Sequence, residues 1–483
     1  MREKGSIAPL LDALLDYSSQ KPLRLHMPGH KGRCLEDMAS ISHKIFEFDV
    51  TEVPGLDDLH EPSGVIKEAQ ILLSQAYGAD ESFFLVNGTT GGLHAALMAT
   101  CKPGDKVILP RNVHRSVIGG VILSGTDPVY LRPEVSRFLG ATAIISSEEL
   151  KQALALTPDA RCLIVVNPDY WGIAGDIGLL VNLAHMAHVP VIADEAHGPH
   201  LLFHSDLPLS AIQAGADITV QSAHKLLGSL TQSSFLHLKK GIVCRERLCS
   251  ALKLLQSTSP SYPLMASLDV VRMRMAMNGK ELLGAVLDLC RELRSTINET
   301  EGFCCFDEDD LDIEENFTID PTKLVISGRE LGISGYELAR ILRDDHGIQV
   351  ELADLNNILI MITIADIDKE EIKRLIKALQ HISLKRGKSL KRGINSISLN
   401  LPDLPEKVLN PRDAFFSSQR LMELKEARGK ICGEIIAPYP PGIPLLCPGE
   451  LITDEIIEYL NFIRDAGAKI HGLKENHLVS VIK

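Results

Sequence analysis

Through residues 65–270 short apolar runs alternate with amphipathic stretches. Glu81 to Val86, Asp105 to Leu109, Cys162 to Val166, Ala187 to Ala193 and Ala216 to Gln221 are runs of this kind. The runs Ala187 to Ala193 and Ala216 to Gln221 read as buried parallel strands whose carboxyl ends deliver polar residues. Strand and helix in alternation predict an α/β domain with right-handed crossovers. Further along, Lys323 to Ser327, Ile348 to Leu352 and Ile358 to Thr363 read as strands. A helix over Asp368 to Ile382 follows, with Ile372, Leu375, Ile376 and Leu379 on one face. The predicted organisation is an N-terminal arm (1–64), a large α/β domain (65–284), a small α+β domain (285–385), a linker (386–404) and a C-terminal domain (405–483). Ile7 to Tyr17 reads as an amphipathic helix. The basic, glycine-punctuated run Leu384 to Gly393 carries no aromatics and reads as a solvated linker rather than a nucleic-acid patch.

The ends of these strands carry the candidate chemistry. Asp194-Glu195-Ala196-His197 follows one run, and Ser222-Ala223-His224-Lys225 follows the next. Open α/β sheets bind ligands at their carboxyl edge. A lysine and an aspartate there suit pyridoxal 5'-phosphate (PLP): the lysine bonds the cofactor aldehyde, and the aspartate keeps the pyridine nitrogen protonated. Asn87-Gly88-Thr89-Thr90-Gly91-Gly92 runs from a strand into the helix of Leu93 to Met98. Gly88 permits close approach of an anion, Thr89 and Thr90 offer hydroxyls, and the helix start offers free N–H groups. No lysine completes a Walker A loop. The competing reading of that segment is a tight turn without a ligand. His114, after the Asp105 to Leu109 strand, is placed to stack on a pyridine ring or to serve as a loop histidine. Trp171, the single tryptophan, is either a core anchor or a site wall.

Taken in order, these motifs resemble the group III pyridoxal-dependent decarboxylases, the Orn/Lys/Arg decarboxylase family with the aspartate aminotransferase type I fold. The resemblance also rests on His26-Met27-Pro28-Gly29-His30-Lys31-Gly32, Asp49-Val50-Thr51-Glu52 and Gly55-Leu56-Asp57-Asp58-Leu59-His60. It extends to Pro438-Tyr439-Pro440-Pro441-Gly442-Ile443-Pro444-Leu445 and Pro448-Gly449-Glu450. It implies that Lys225 carries the cofactor, Asp194 pairs with the pyridinium and His114 stacks on the ring. It also implies that Thr89, Thr90, Ser222 and His224 bind phosphate, with Gly88, Ala196 and His197 in the same shell. A homodimer is a further implication. The chain is similar to the compact members without an N-terminal wing domain, and most like the biosynthetic arginine type.

Composition narrows the partners. The chain has 483 residues, 45% of them hydrophobic, with no apolar run near the roughly 20 residues that span a bilayer. The N-terminus shows no secretion signal, and ten cysteines occur without a Cys-x-x-Cys pair, so reduced thiols in the cytoplasm are expected. A net charge of −13 disfavours nucleic acid and is compatible with a cationic substrate. The expected reaction is decarboxylation of a basic amino acid, with arginine ahead of lysine and ornithine and the product feeding polyamine synthesis. Glu434 and Glu450 flank the proline-rich segment and could each pair with a cation, Glu434 being the expected contact of the substrate tail. Protonation at Cα is assigned to Lys225 or His224, leaving His197 without a role. The competing readings are another type I PLP enzyme, such as an aminotransferase or carbon–sulfur lyase, and a PLP-binding protein without catalysis.

Overall fold

The computed structural model describes residues 9–483 except 137–138, 140, 143, 311–315, 367–368, 387–401, 440–441 and 476. Most of the expected linker and its basic run, together with Pro440 and Pro441, lie outside the described residues.

The large domain is built on a seven-stranded sheet. Its strands are β1 (Glu81–Leu85), β2 (Lys106–Pro110), β3 (Asp127–Leu131), β4 (Cys162–Val166), β5 (Val191–Asp194), β6 (Ile218–Gln221) and β7 (Ser234–Leu238). The spatial order is β1-β7-β6-β5-β4-β2-β3. β7 runs antiparallel to both neighbours, and the other neighbouring strands of this sheet pair in parallel. Strands β4 and β5 are almost wholly buried and apolar, which explains why their positions were legible. The predicted strands therefore form, with boundaries shifted by a few residues at most of them. Helix α1 (Gly88–Thr100) begins at Gly88, so the glycine-threonine segment is its first turn rather than a loop before it. A Cβ on Gly92 would stand 2.6 Å from both Leu85 Cδ1 and Val220 Cγ1, so glycine lets α1 lie close against the sheet.

The expected boundary at 284/285 falls inside one continuous helix of 37 residues, α4 (Tyr262–Asn298), since α2 is Arg115–Ser124 and α3 is Ala223–Leu226. Its apolar face, including Leu283, Val286, Leu287 and Cys290, packs into one core with the small domain. The division is thus spanned by packing rather than marked by a loop. The small domain's sheet comprises β8 (Cys304–Cys305), β9 (Lys323–Ser327), β10 (Leu352–Ala353) and β11 (Asn357–Met361), ordered β8-β9-β11-β10. The N-terminal arm reaches the small domain through a separate two-stranded sheet, in which Leu23–Leu25 pairs in parallel with Ile348–Val350. No helix among the described residues is long and apolar enough to cross a membrane, and all ten cysteines are free thiols.

The C-terminal domain docks on the large one through a buried ion pair. Arg111 donates to Glu450 twice, at 2.7 and 2.8 Å, and once to the Leu445 carbonyl at 2.9 Å. Glu450 also accepts from the Cys447 N–H at 2.7 Å. Glu450 is therefore a structural partner of Arg111 and not a contact for a substrate. Removing one member of a buried pair leaves the other charge uncompensated. Glu450→Ala is expected to lower stability by about 3–5 kcal/mol, measured by urea unfolding; an unchanged midpoint would contradict this role for the pair.

Candidate active site

The carboxyl ends of β1, β2, β4, β5 and β6 bring the predicted residues to one edge of the sheet. Because β7 runs the other way, it delivers its first residue, Ser234, to that same edge, opposite Leu85. Thr89 Oγ1 is 2.6 Å from Ser222 Oγ and 3.1 Å from Ser234 Oγ. Three hydroxyls thus converge beside the start of α1. There the first intrahelical bond is donated by the Gly91 N–H to Asn87, leaving the amides of Gly88, Thr89 and Thr90 ahead of it. Three hydroxyls and a helix N-terminus suit a phosphate group. The Thr90 side chain, by contrast, is exposed. Ser234 was missed from sequence because an antiparallel strand presents its amino end here, where the parallel rule looks only at carboxyl ends.

Lys225 and His197 are joined at 2.8 Å, Nζ to Nε2. Burial lowers the lysine to about 8, with Lys323 acting the same way and Asp194 and Glu351 opposing it. Its amine is therefore unusually available as a nucleophile near neutral pH. Burial, then Lys225, pushes the His197 imidazole well below its ordinary value, so it is neutral. The Tyr170 ring closes the other side, 4.5 Å from the His197 ring and 5.9 Å from Lys225 Nζ. Trp171 is buried in a core cluster with Ile173 and Phe306, which settles it as an anchor. Asp194 is buried at the end of β5; burial raises its carboxyl against the pull of Lys225 and the Ala196 N–H, which donates to it at 3.3 Å. A cationic ring nitrogen would relieve that cost, so the residue fits the PLP pyridinium.

His114 caps α2: its Nδ1 accepts from the Ser116 N–H at 3.2 Å, with the Ser116 hydroxyl at 2.8 Å. Burial, then the charge of Lys225, lowers it to about 4, so the ring is neutral and still reachable at the cleft mouth. His224 donates from Nδ1 to the Ser233 carbonyl at 2.9 Å and is likewise lowered to about 4 by burial. That bond fixes its ring and leaves Nε2 for a ligand.

Two segments close on this edge. The Gly29 N–H donates to the His224 carbonyl at 2.8 Å, and a Cβ on Gly29 would meet the Lys225 carbonyl oxygen at 2.8 Å. Lys31 of the arm ties that turn to the small domain, donating to the carbonyls of His26 and Met361 at 2.9 Å. From the C-terminal domain, the Gly442 carbonyl accepts from the Arg115 N–H at 3.2 Å, beside His114. Both signature segments flagged in the sequence thus pack around Lys225 and His114.

Glu434 is not brought to Lys225 by any contact described. It forms an ion pair with Lys474 at 3.3 Å, on a partly exposed surface of the C-terminal domain. Besides Asp194, the carboxylate whose charge acts on Lys225 is Glu351, just after the strand Ile348–Val350. It accepts from the Tyr170 hydroxyl at 2.6 Å and from the Met27 N–H at 2.8 Å. No motif marks it; only the packing of the small domain against Tyr170 reveals it.

Comparison with known proteins agrees with this geometry. Residues 8–370 match the family model "Orn/Lys/Arg decarboxylase, major domain", and residues 396–477 match "Orn/Lys/Arg decarboxylase, C-terminal domain". The arginine decarboxylase of Bacillus subtilis is 43% identical over 480 residues, covering 98% of each chain. That of Bacillus anthracis is 42% identical over 467 residues, covering 96% of this chain and 94% of its own. Among solved structures, the lysine decarboxylase of Francisella novicida superposes with a TM-score of 0.78 at 24% identity, over 91% of this chain and 75% of that one. This last likeness concerns the fold, which is the type I fold implied by the motifs. With both halves of the family matched and its signature segments gathered around one lysine, the chain belongs to the Orn/Lys/Arg decarboxylase family.

Proposed function

We propose that the chain is a PLP-dependent arginine decarboxylase, releasing CO₂ and the corresponding amine. The observation that carries this reading is Lys225, of lowered basicity and in contact with His197, standing between Asp194 and the Thr89–Ser222–Ser234 hydroxyls. Full-length likeness to arginine decarboxylases supports the substrate. When bound, PLP supplies an electron sink for the bond broken at the substrate's Cα.

The chain's own residues do the rest. The three hydroxyls and the amides of Gly88, Thr89 and Thr90 would hold the cofactor's phosphate. Asp194 would keep its ring nitrogen protonated, and His114 would supply a flat neutral ring beside it. Lys225 Nζ and His197 Nε2 are close enough to share one proton, so the pair can accept and return a proton at the amine. The Gly29 and Gly442 segments narrow the access of water. Glu351 and Tyr170 line the side where a cationic tail would lie, and a carboxylate matches a planar guanidinium with two hydrogen bonds. The reading includes a homodimer, as the family resemblance implies.

Glu351→Gln tests the tail contact. A charge-assisted bond is worth about 1.5–3 kcal/mol, so KM for arginine should rise about 10–100-fold with a smaller change in kcat. An unchanged KM would remove Glu351 from the substrate site.

A further inference from the structure

On the face of the large sheet away from α1 lies a polar row that the reaction does not use. Ile192 and Val220 pack among residues of α1, whereas Ala193 packs with Ala211 on the other face. Side chains alternate along a strand, so Asp194 and Ser222 fall on the α1 face, and Glu195 and Gln221 on the opposite one. There Ser82 of β1, His237 of β7, Gln221 of β6, Glu195 after β5 and Asn167 after β4 are joined one to the next. Ser82 Oγ is 2.8 Å from His237 Nδ1, and His237 Nε2 is 3.2 Å from Gln221 Oε1. Gln221 Nε2 donates to Glu195 Oε2 at 2.6 Å, and Asn167 Nδ2 donates to Glu195 Oε1 at 3.1 Å. The row follows the sheet order β1-β7-β6-β5-β4 without skipping a strand.

Glu195 is the centre of this row. Besides the two amides, its carboxyl accepts from the Ala211 N–H at 2.6 Å and from the Ser210 hydroxyl at 2.9 Å. The side chain is fully buried. A Cβ on Gly198 would stand 2.6 Å from Glu195 Cγ, so glycine leaves it room. Burial pushes the carboxyl up to about 7 while the four donors pull it down, so above neutral pH it is an anion with no hydrogen to give. That sets the direction of every bond in the row. The Gln221 amide turns its nitrogen to Glu195 and its oxygen to His237. His237, lowered to about 3 by burial and therefore neutral, carries its hydrogen on Nε2 and accepts from Ser82 at Nδ1.

A buried carboxylate held by neutral donors is costly, and such costs concentrate at functional sites. The backbone joins this row to the site on the other face. The Glu195 N–H donates to the Val220 carbonyl at 3.0 Å, and the Asn167 N–H donates to the Asp194 carbonyl at 3.1 Å. Gln221 is followed by Ser222, whose hydroxyl meets that of Thr89 at 2.6 Å. We propose that Glu195 is a positioning residue: by tying Gln221 to Asn167 past the end of the strand ladder, it fixes the spacing between Asp194 and the Ser222 hydroxyl. Those two groups serve opposite ends of the cofactor, so the inference rests on the reading of this edge as a PLP site. Such groups need their geometry held within about 0.5 Å, and a misplacement of about 1 Å costs about 10²-fold.

The test uses the full-length enzyme in mildly alkaline buffer. It reads the Kd for PLP, kcat at saturating PLP, KM for arginine and the visible circular dichroism of the bound cofactor. In Glu195→Ala the Kd for PLP should rise about tenfold or more, and kcat should fall about 10–100-fold. The dichroic band per bound cofactor should shrink. KM for arginine should stay within about threefold, since Glu351 and Tyr170 are untouched. Glu195→Gln should stay within about threefold of wild type in each readout, because the row can reverse. The new amide donates to the Gln221 oxygen, Gln221 to His237 Nε2, and His237 from Nδ1 to Ser82. Should Glu195→Ala fail to fold, Gln221→Met cuts the link to β6 and leaves the other donors to Glu195 in place; the same rise in Kd and fall in kcat are expected. Unmoved Kd and kcat in the folded variants, even with a lowered melting temperature, would overturn the proposal, as would an equal loss in Glu195→Gln. A wild-type enzyme that binds no PLP would instead overturn the reading of the site, and this inference with it.

Discussion

Lys225→Ala is expected to abolish turnover, with kcat falling by a factor on the order of 10⁴ or more. Lys225 is the one side chain that joins two requirements of the reaction. Its amine is shifted to about 8 by burial, which makes it a nucleophile toward an aldehyde. Its Nζ also touches His197 at 2.8 Å, which gives the departing and returning proton a place to go. Alanine removes both, and no neighbouring amine replaces it, since Lys323 is fully buried beside Asp320 and Lys31 is committed to backbone carbonyls. The measurement is CO₂ release by purified protein with added PLP. Activity above a tenth of wild type would contradict the assignment.

Asp194→Asn should retain cofactor while reducing kcat by about 10²–10⁴-fold. The carboxylate is buried, and its charge is costly unless a cation lies beside it. Asparagine preserves the shape and a hydrogen bond but not the charge, so the ring nitrogen loses its reason to stay protonated. PLP content per chain and kcat are the two readouts. A rate within tenfold of wild type, at full cofactor content, would reject the role of Asp194. Loss of cofactor in its place would make the residue a binding group first.

The sequence and the structure agree best where one strand decides the geometry. Apolar runs marked β4 and β5, and the ends of β5 and β6 carry the polar residues. Asp194, Ser222, His224 and Lys225 were legible for that reason. Residues that reach the site by tertiary packing were not. Ser234 enters because β7 runs antiparallel, and Glu351 because the small domain folds onto Tyr170. The two glutamates show the same limit. Glu434 and Glu450 both flank the proline-rich segment, but Lys474 and Arg111 claim them, and neither partner is marked by a motif. At 284/285 no loop marks a division, since α4 runs unbroken through that position.

The central claim is the reaction and its substrate, and one competition assay addresses both. Purified protein with PLP receives arginine, lysine and ornithine in equal amounts, and the products are identified by mass. The account predicts agmatine as the dominant amine. Dominance of cadaverine or putrescine would contradict the arginine assignment, and keto-acid products without any amine would contradict decarboxylation itself.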